Sequence, residues 1–184
     1  MLQIAVSQTE FYDELRNEFV TVKAQTLQLE HSLVSISKWE SKWKKAFLDP
    51  DKKKTAEEIL DYVRCMTLTQ NVNPLTYQAI TASTMKTIMD YINDPMSATV
   101  INEIKIPGER HRRKEVVTSE LIYYWMVALQ IPFECQKWHF NRLMNLIRIC
   151  NIKNSPPKKM GKREILSRNN ALNAARRAAL GTKG

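Results

Sequence analysis

The sequence predicts a mainly α-helical protein: a compact multi-helix domain with a small N-terminal β-hairpin or meander and a basic helical C-terminal tail. Over the first thirty residues apolar and polar residues alternate, as they do in half-buried strands. From Ser32 onward the apolar residues recur every three or four positions, which is the period of an amphipathic helix. Pro156 and Pro157 then separate a last segment that is strongly basic.

Strands are expected at three places in the first thirty residues. The alternating apolar residues are Leu2, Ile4 and Val6, then Val20 and Val22, and finally Leu27 and Leu29. The region 13–17 is turn-like, and the third run is a candidate to pair with the other two. A helix over residues 10–18 is the alternative for the middle of this region.

Two helices with defined starts follow the strands. Ser32 is expected to cap the first helix, which runs to Asp49 because the residue before Pro50 is biased away from helix. Thr55 and Glu58 have the spacing of a capping box at the start of the second helix. An apolar stripe at helical spacing continues from each of these starts.

The third helix and the long loop after it are also marked by local signals. Asn73 is a candidate N-cap with Pro74 at the first helical position, and the apolar stripe ends before Asp94 and Pro95. Residues 96–117 contain one proline, one glycine and a basic cluster, which is typical of a long loop. Strand character is expected within this loop at residues 100–106.

Two further helices are expected before the tail. Thr118 can cap a helix over residues 120–130, which is apolar around most of its circumference and is therefore predicted to be the central buried helix. A long helix is expected after the turn at Ile131 and Pro132, and Asn154 begins the break that ends it.

The net charge of +9 is concentrated at one end of the chain. Residues 151–184 hold nine basic residues and one acid, whereas residues 1–150 hold 19 basic and 18 acidic residues. We therefore expect two parts, a neutral helical body over 1–150 with strands in about its first thirty residues, and a proline-bounded basic tail over 151–184. This distribution favours a tail with a partner of its own over a uniformly basic surface.

Residues suited to catalysis or metal binding are sparse. His31, His111 and His139 are scattered, and Cys135 lies four residues before His139 without the second pair that a zinc site needs. Four glycines in all leave no phosphate-binding loop. We expect no catalytic residue, no cofactor and no metal, so the chain is predicted not to be an enzyme.

The cellular compartment is predicted from the cysteines and from the hydropathy pattern. Three cysteines in apolar surroundings argue against a disulfide framework and favour a reducing cytoplasm. No run approaches the ~20 apolar residues of a membrane span, and the N-terminus lacks the pattern of a secretory signal. No membrane partner is expected.

The candidate partner-binding residues are aromatic or basic. Trp39 departs from the apolar stripe of its helix and is the best candidate for an exposed contact aromatic, although core packing is the alternative for it and for Trp43. The basic candidates are Arg110, Arg112 and Arg113 in the loop, and Lys158, Lys159, Lys162, Arg163, Arg168, Arg176 and Arg177 in the tail. A solvated turn is the alternative for the loop, and a disordered solubilising end is the alternative for the tail.

Seven segments of the chain can be compared with known families as extended stretches: SISKWESKW (35–43), DYVRCMT (61–67), YINDPM (91–96), SELIYYWM (119–126), IPFECQKWH (131–139), PPKKM (156–160) and LNAARR (172–177). Together they resemble tail assembly chaperones of long-tailed, siphovirus-type bacteriophages. The resemblance covers nearly the whole chain and rests on extended similarity rather than on one diagnostic motif.

The resemblance implies a binding protein that acts during viral tail morphogenesis in the host cell cytoplasm. Its expected partners are the tape measure protein, which it keeps soluble, and the major tail protein, which it helps to recruit; self-association is a further candidate interaction. Such proteins leave before the virion matures. Many are made in two lengths by ribosomal frameshifting, which we expect near Lys158 and Lys159 and which would replace the last 25 residues.

Two other functions stay open at this point. A basic nucleic-acid-binding accessory protein would use the charge of the tail, although charge alone gives only non-specific attraction to nucleic acid. A structural tail component would share the resemblance but would be retained in the virion.

Overall fold

The computed structural model describes residues 1–14, 17–99, 116–154 and 161–181. The chain divides into two compact units, Met1–Asn151 and Ile152–Gly184. Within the described residues the first unit begins with four strands, β1 (Leu2–Val6), β2 (Thr9–Asp13), β3 (Glu18–Val22) and β4 (Gln25–Leu29). Its helices are α1 (Leu33–Trp43), α2 (Ala56–Met66), α3 (Ala82–Asn93), α4 (Ser119–Ala128) and α5 (Phe140–Asn154), whose end crosses into the second unit, where α6 (Lys162–Leu180) lies. The mainly α class with an N-terminal β-hairpin region is confirmed. The loop strand expected at 100–106 lies outside the described residues.

The four strands form one long antiparallel hairpin with an interruption. Strand β1 pairs with β4, so that Leu2 faces Leu29, and β2 pairs with β3, so that Thr9 faces Val22. The same register runs through both pairs, and the strands are interrupted at residues 7–8 and 23–24. The three predicted strand runs are confirmed. The alternative helix over 10–18 is wrong, because β2 pairs along its whole length with β3 and gains the cross-strand contacts of a hairpin.

Helix α1 starts where the sequence predicts and ends earlier. The Ser32 hydroxyl accepts from the Ser35 backbone N–H at 3.3 Å, and the Ser35 hydroxyl accepts from the Ser32 N–H at 3.0 Å. Lys44, with φ 53°, then takes a left-handed conformation that stops the helix. The predicted end at Asp49 is therefore wrong. The chain turns back because the buried Glu40 carboxylate accepts from the Phe47 backbone N–H at 2.7 Å.

Of the next two predicted helix starts, the one at Thr55 is confirmed and the one at Asn73 begins only a short helix. The capping box is confirmed, since Thr55 and Glu58 each accept from the other's backbone N–H at the start of α2. Asn73 does cap a helix, but only a single 3-10 turn over Pro74–Tyr77. Thr81 caps α3 separately, and α3 ends at Asn93 as predicted.

The C-terminal half of the first unit departs from expectation in two ways. Thr118 caps α4 as predicted, but α4 is not buried all round: Ile122 and Met126 are fully buried, whereas Tyr124 and Val127 are exposed. The expected long helix after Pro132 is also split, because a 3-10 helix over Phe133–Lys137 precedes α5. Cys135 and His139 therefore do not share one helix. Helix α5 reaches Asn154, and the rest of the break expected after it lies outside the described residues.

The core lies where β1 and β4 meet the five helices α1 to α5. Its fully buried apolar residues include Leu27, Leu29, Leu33, Ile36, Met66, Ile88, Ile122, Met126 and Leu143. Glu40 occupies a place in the apolar stripe of α1, and its second carboxylate oxygen accepts from the Ser119 backbone N–H at 2.8 Å. The carboxylate thus joins α1 both to the following turn and to the start of α4.

We expect Glu40→Ala to lower the free energy of unfolding by about 2–4 kcal/mol, because two backbone N–H groups lose a charged acceptor in the protein interior. Urea unfolding followed by circular dichroism measures the change. The matched control is Glu57→Ala, at an exposed carboxylate in the first turn of α2, with an expected loss below about 1 kcal/mol. Equal losses in the two variants would contradict the bridging role of Glu40.

Candidate functional site

A cleft of about 800 Å³ opens on the first unit. Its apolar lining comes from three parts of the chain and includes Phe47, Ile59, Val63, Ile92 and Phe140. The consecutive Lys52, Lys53 and Lys54 line it as well, and the first two are exposed. We call this feature the lysine cleft. Its size lies in the range of about 300–1,000 Å³ that is usual for ligand pockets.

An aromatic cluster supports one side of the lysine cleft. The Phe47 ring lies 4.2 Å from the Tyr62 ring and 5.2 Å from the Trp39 ring, measured between centroids. The Lys54 ammonium lies 4.3 Å from the Phe47 ring centroid and donates to the Phe47 carbonyl at 2.7 Å. Burial lowers the pKa of Lys54, although the Glu58 and Asp49 carboxylates oppose this shift. Lys54 is therefore held by the protein itself, which leaves Lys52 and Lys53 as the accessible charges.

Two histidines meet beside the cleft. The His31 and His139 ring centroids lie 5.1 Å apart, and both residues are buried. The His31 Nδ1 is hydrogen-bonded to the Tyr62 hydroxyl, and the His139 Nε2 lies 3.0 Å from the Tyr91 carbonyl oxygen. Burial, and after it the nearby His139, lowers the pKa of His31 to about 3. His31 is thus neutral at physiological pH and suits a packing role at the cleft wall.

This histidine pair was missed by sequence reasoning, which treated the histidines as scattered. The two residues are 108 positions apart, and no local pattern joins them. A backbone hydrogen bond from the Phe140 N–H to the His31 carbonyl, 2.7 Å long, joins the start of α5 to this point. Among the described residues no group of three or more His, Cys, Asp or Glu side chains is placed to hold a metal ion.

The expectation that Trp39 is an exposed contact aromatic is wrong. Trp39 is 1% exposed, and its indole N–H donates to the Glu58 carbonyl at 2.8 Å, because α2 packs over that side of α1. Trp43 is half-buried, and its indole N–H donates to the Asp61 carboxylate at 2.8 Å. The exposed tryptophan is instead Trp138, over which the Arg142 guanidinium lies 4.4 Å from the ring centroid.

The basic candidates are only partly described. Arg110, Arg112, Arg113, Lys158 and Lys159 lie outside the described residues. Lys162 and Arg163 begin α6, but their side chains are not among those described. The remaining three, Arg168, Arg176 and Arg177, are exposed on α6. Of the candidates, Trp39 and Trp43 lie beside each other, with ring centroids 6.3 Å apart.

A second surface feature is the outward face of α4. Tyr124 is 65% exposed and Val127 is 60% exposed, and the exposed Ala128 follows. With Glu120 these residues have the spacing i, i+4, i+7, i+8, so they lie along one side of the helix, which we call the α4 face. Sequence reasoning took the all-round apolar character of this helix as a sign of burial. Because apolar residues surround this helix, burying one side of it leaves apolar side chains exposed on the other.

Comparison of the chain with protein-family models, with curated proteins and with solved structures found no match. Among the described residues no helix has the length and apolar character that crossing a membrane requires.

The low pKa of His31 gives stability a pH dependence. A histidine in an unfolded chain titrates near 6.5, so below that pH the unfolded chain binds a proton that the folded protein excludes down to about pH 3. This group should therefore lower the free energy of unfolding by about 1.4 kcal/mol per pH unit across that window as pH falls. Urea unfolding of wild type and His31→Gln at several pH values between 7 and about 4.5 tests this, since other titrating groups cancel in the difference. Identical pH dependence in the two proteins would contradict the account.

Proposed function

We propose that this protein is a tail assembly chaperone of a long-tailed bacteriophage. It binds the tape measure protein, keeps it soluble while the tail is built, and helps to recruit the major tail protein. The observation that carries the proposal is the α4 face. A surface helix normally turns polar residues to solvent, whereas here Tyr124 and Val127 occupy those positions.

The α4 face suits a long helical partner for physical reasons. A long helix with apolar stripes aggregates unless another apolar surface covers the stripes, and helix-against-surface recognition does this with residues at the spacing of one helix face. Tyrosine supplies a large contact area at low entropic cost because its side chain has few rotatable bonds. Ile122 and Met126 anchor the opposite side of α4 in the core, so the helix presents the α4 face on a rigid support.

The basic helix α6 is the second element of the proposal. Its described side chains are all exposed, including Ile165, Leu166 and Leu172. A single helix without a packed face is marginal in water, so we propose that α6 is stabilised by a binding partner during assembly. This would be the part that differs between two translation products if the frameshift falls at Lys158 and Lys159.

The proposed activity predicts a specific loss of partner solubility. In Tyr124→Ser/Val127→Ser we expect at least about a threefold drop in the soluble fraction of co-expressed tape measure protein, because the apolar contact area is removed. The melting temperature should stay within about 3 °C of wild type, since both side chains are already in solvent. Quantitative gels of soluble and pelleted fractions measure the effect.

Leu68→Ser is the matched control, because Leu68 is 55% exposed and lies outside α4. It should leave the soluble fraction of the partner unchanged. If wild type itself leaves the tape measure protein as insoluble as an empty vector does, the chaperone function is wrong. If the double variant and the control keep the partner equally soluble, the chaperone function is retained but the α4 face is not its binding surface.

The nucleic-acid-binding alternative is favoured by one observation, the exposed Arg168, Arg176 and Arg177 on α6. Truncation after residue 151 distinguishes the two functions. A nucleic-acid-binding protein would lose strong, steeply salt-dependent retention on DNA or RNA, whereas a chaperone would keep its contact with the tape measure protein through the first unit.

A retained structural component is distinguished by the composition of the particle. We propose that the chaperone acts in the host cytoplasm and leaves before maturation, so mass spectrometry of purified virions should find it at trace level relative to major tail protein. Abundant intact copies in the virion would contradict a transient role.

A further inference from the structure

The lysine cleft is not used by the proposed function. No residue of α4 is among its described lining residues, so the cleft and the α4 face are separate surfaces. Apolar side chains in a protein interior normally pack against one another and leave few voids larger than a water molecule. An apolar cleft of about 800 Å³ that stays open to solvent is therefore a candidate site for a small molecule.

The walls of the cleft are mainly apolar. Helix α2 contributes Ile59 and Val63, and the rings of Phe47 and Phe140 lie on other parts of the wall. Met89, on α3, also lines the cleft and is 39% exposed, and its flexible side chain can adapt to a bound molecule. A ligand that fills this space must present an apolar body to these walls.

Several polar atoms of the walls are already hydrogen-bonded within the protein. The His31 Nδ1 is bonded to the Tyr62 hydroxyl. The Asn141 side-chain N–H groups donate to the carbonyls of Ile92 and Asp94 at 3.0 and 2.7 Å. Burial of a polar group without a partner is costly. The walls therefore favour a hydrocarbon body over one with many polar groups, such as a nucleobase or a sugar.

The charge at the solvent edge of the cleft is positive. Asp49 is the one acidic residue among the described lining residues, against three lysines. Its carboxylate accepts from the Asp51 backbone N–H at 3.0 Å and attracts Lys54, which the protein itself holds. Lys52 and Lys53 are exposed and line the cleft as well. Two ammonium groups are thus placed to meet an anionic group at the mouth of an apolar cavity.

We propose that the lysine cleft binds a free single-chain anionic amphiphile, namely a long-chain fatty carboxylate. The hydrocarbon chain lies against the apolar walls, and the carboxylate lies beside Lys52 and Lys53. The ligand is a free molecule rather than a lipid within a bilayer, because the apolar groups line a concavity and do not project from the surface. This binding is additional to the proposed function and does not depend on it.

A hydrocarbon chain suits the cleft better than an acidic peptide segment does. Every peptide unit carries an N–H and a C=O group that need hydrogen-bond partners when they leave water. The apolar walls provide few such partners, whereas a methylene chain needs none. A flexible chain also conforms to a cavity whose walls come from segments far apart in sequence.

The first test measures the dependence of affinity on chain length. Isothermal titration calorimetry of the full chain with octanoate, decanoate and dodecanoate should show saturable binding. The affinity should rise about two- to fourfold for each added methylene group, because each one is transferred from water to the apolar wall. An affinity that does not change with chain length would contradict burial of the chain.

The second test separates the head group from the chain. Decanoate, 1-decanol and decyltrimethylammonium share one chain and differ in charge, and wild type should bind them in that order of decreasing affinity. Lys52→Gln/Lys53→Gln should weaken decanoate binding about three- to tenfold and leave 1-decanol within about twofold, since two exposed ion pairs are lost. The matched control, Lys86→Gln/Lys137→Gln, removes two exposed lysines outside the cleft and should bind all three as wild type does.

The third test places the chain in the cleft. Met89→Glu should weaken decanoate binding at least about tenfold, because a carboxylate on the wall would lose its hydration and repel the ligand. Thr87→Glu is the matched control, at an exposed position of the same helix outside the described lining. It should bind decanoate as wild type does. Circular dichroism and the melting temperature of each variant confirm folding.

Several results would overturn the proposal. They are no saturable binding of decanoate or dodecanoate below about 1 mM, equal affinity for decanoate and decyltrimethylammonium, and variants of the cleft that bind as their controls do. An amidated peptide of alternating glutamate and phenylalanine is the remaining arm. If it binds through the cleft and decanoate does not, the cleft is a protein-docking site and the proposal is wrong. The solubility of the tape measure protein tests the proposed function separately.

Discussion

The arrangement of the first unit depends on the backbone of residues 28–32, where the hairpin passes into α1. Three hydrogen bonds fix this stretch: Leu68 N–H to the Gln28 carbonyl at 2.8 Å, Glu30 N–H to the Met66 carbonyl at 2.9 Å, and Phe140 N–H to the His31 carbonyl at 2.7 Å. They tie β4 to the end of α2 and to the start of α5, and Ser32 then caps α1. Because His31 and Phe140 both line the lysine cleft, these bonds also position its wall.

The α4 face and the lysine cleft both lie on the first unit, whose buried core supports them. The α4 face lies opposite a buried stripe, and the cleft is lined by residues that the core already orders. The side chains of Tyr124 and Phe19 are largely exposed, so most of their apolar surface stays in contact with water. Exposed apolar side chains that share one face are typical of interaction sites.

The features predicted correctly from the sequence are those that short-range hydrogen bonds determine. The caps at Ser32, Thr55 and Thr118 are each set by a side chain and a backbone N–H within three residues, and all three are present. The predicted burial of side chains was wrong where it depends on residues that are distant in sequence. Trp39 is covered by α2 although its neighbours in sequence are charged, and α4 keeps one apolar face in solvent because nothing in the described chain packs there. The cleft also joins segments far apart in sequence, so no local pattern marks it.

The central claim is that the α4 face contacts the tape measure protein while the tail is built. Its most direct test is a photo-crosslinking amino acid placed at position 124, with a second protein carrying it at position 68 as a control, in cells that also make the tape measure protein. The account predicts a light-dependent adduct between the two proteins from position 124 and little or none from position 68. No adduct from position 124, or equal adducts from both positions, would contradict it.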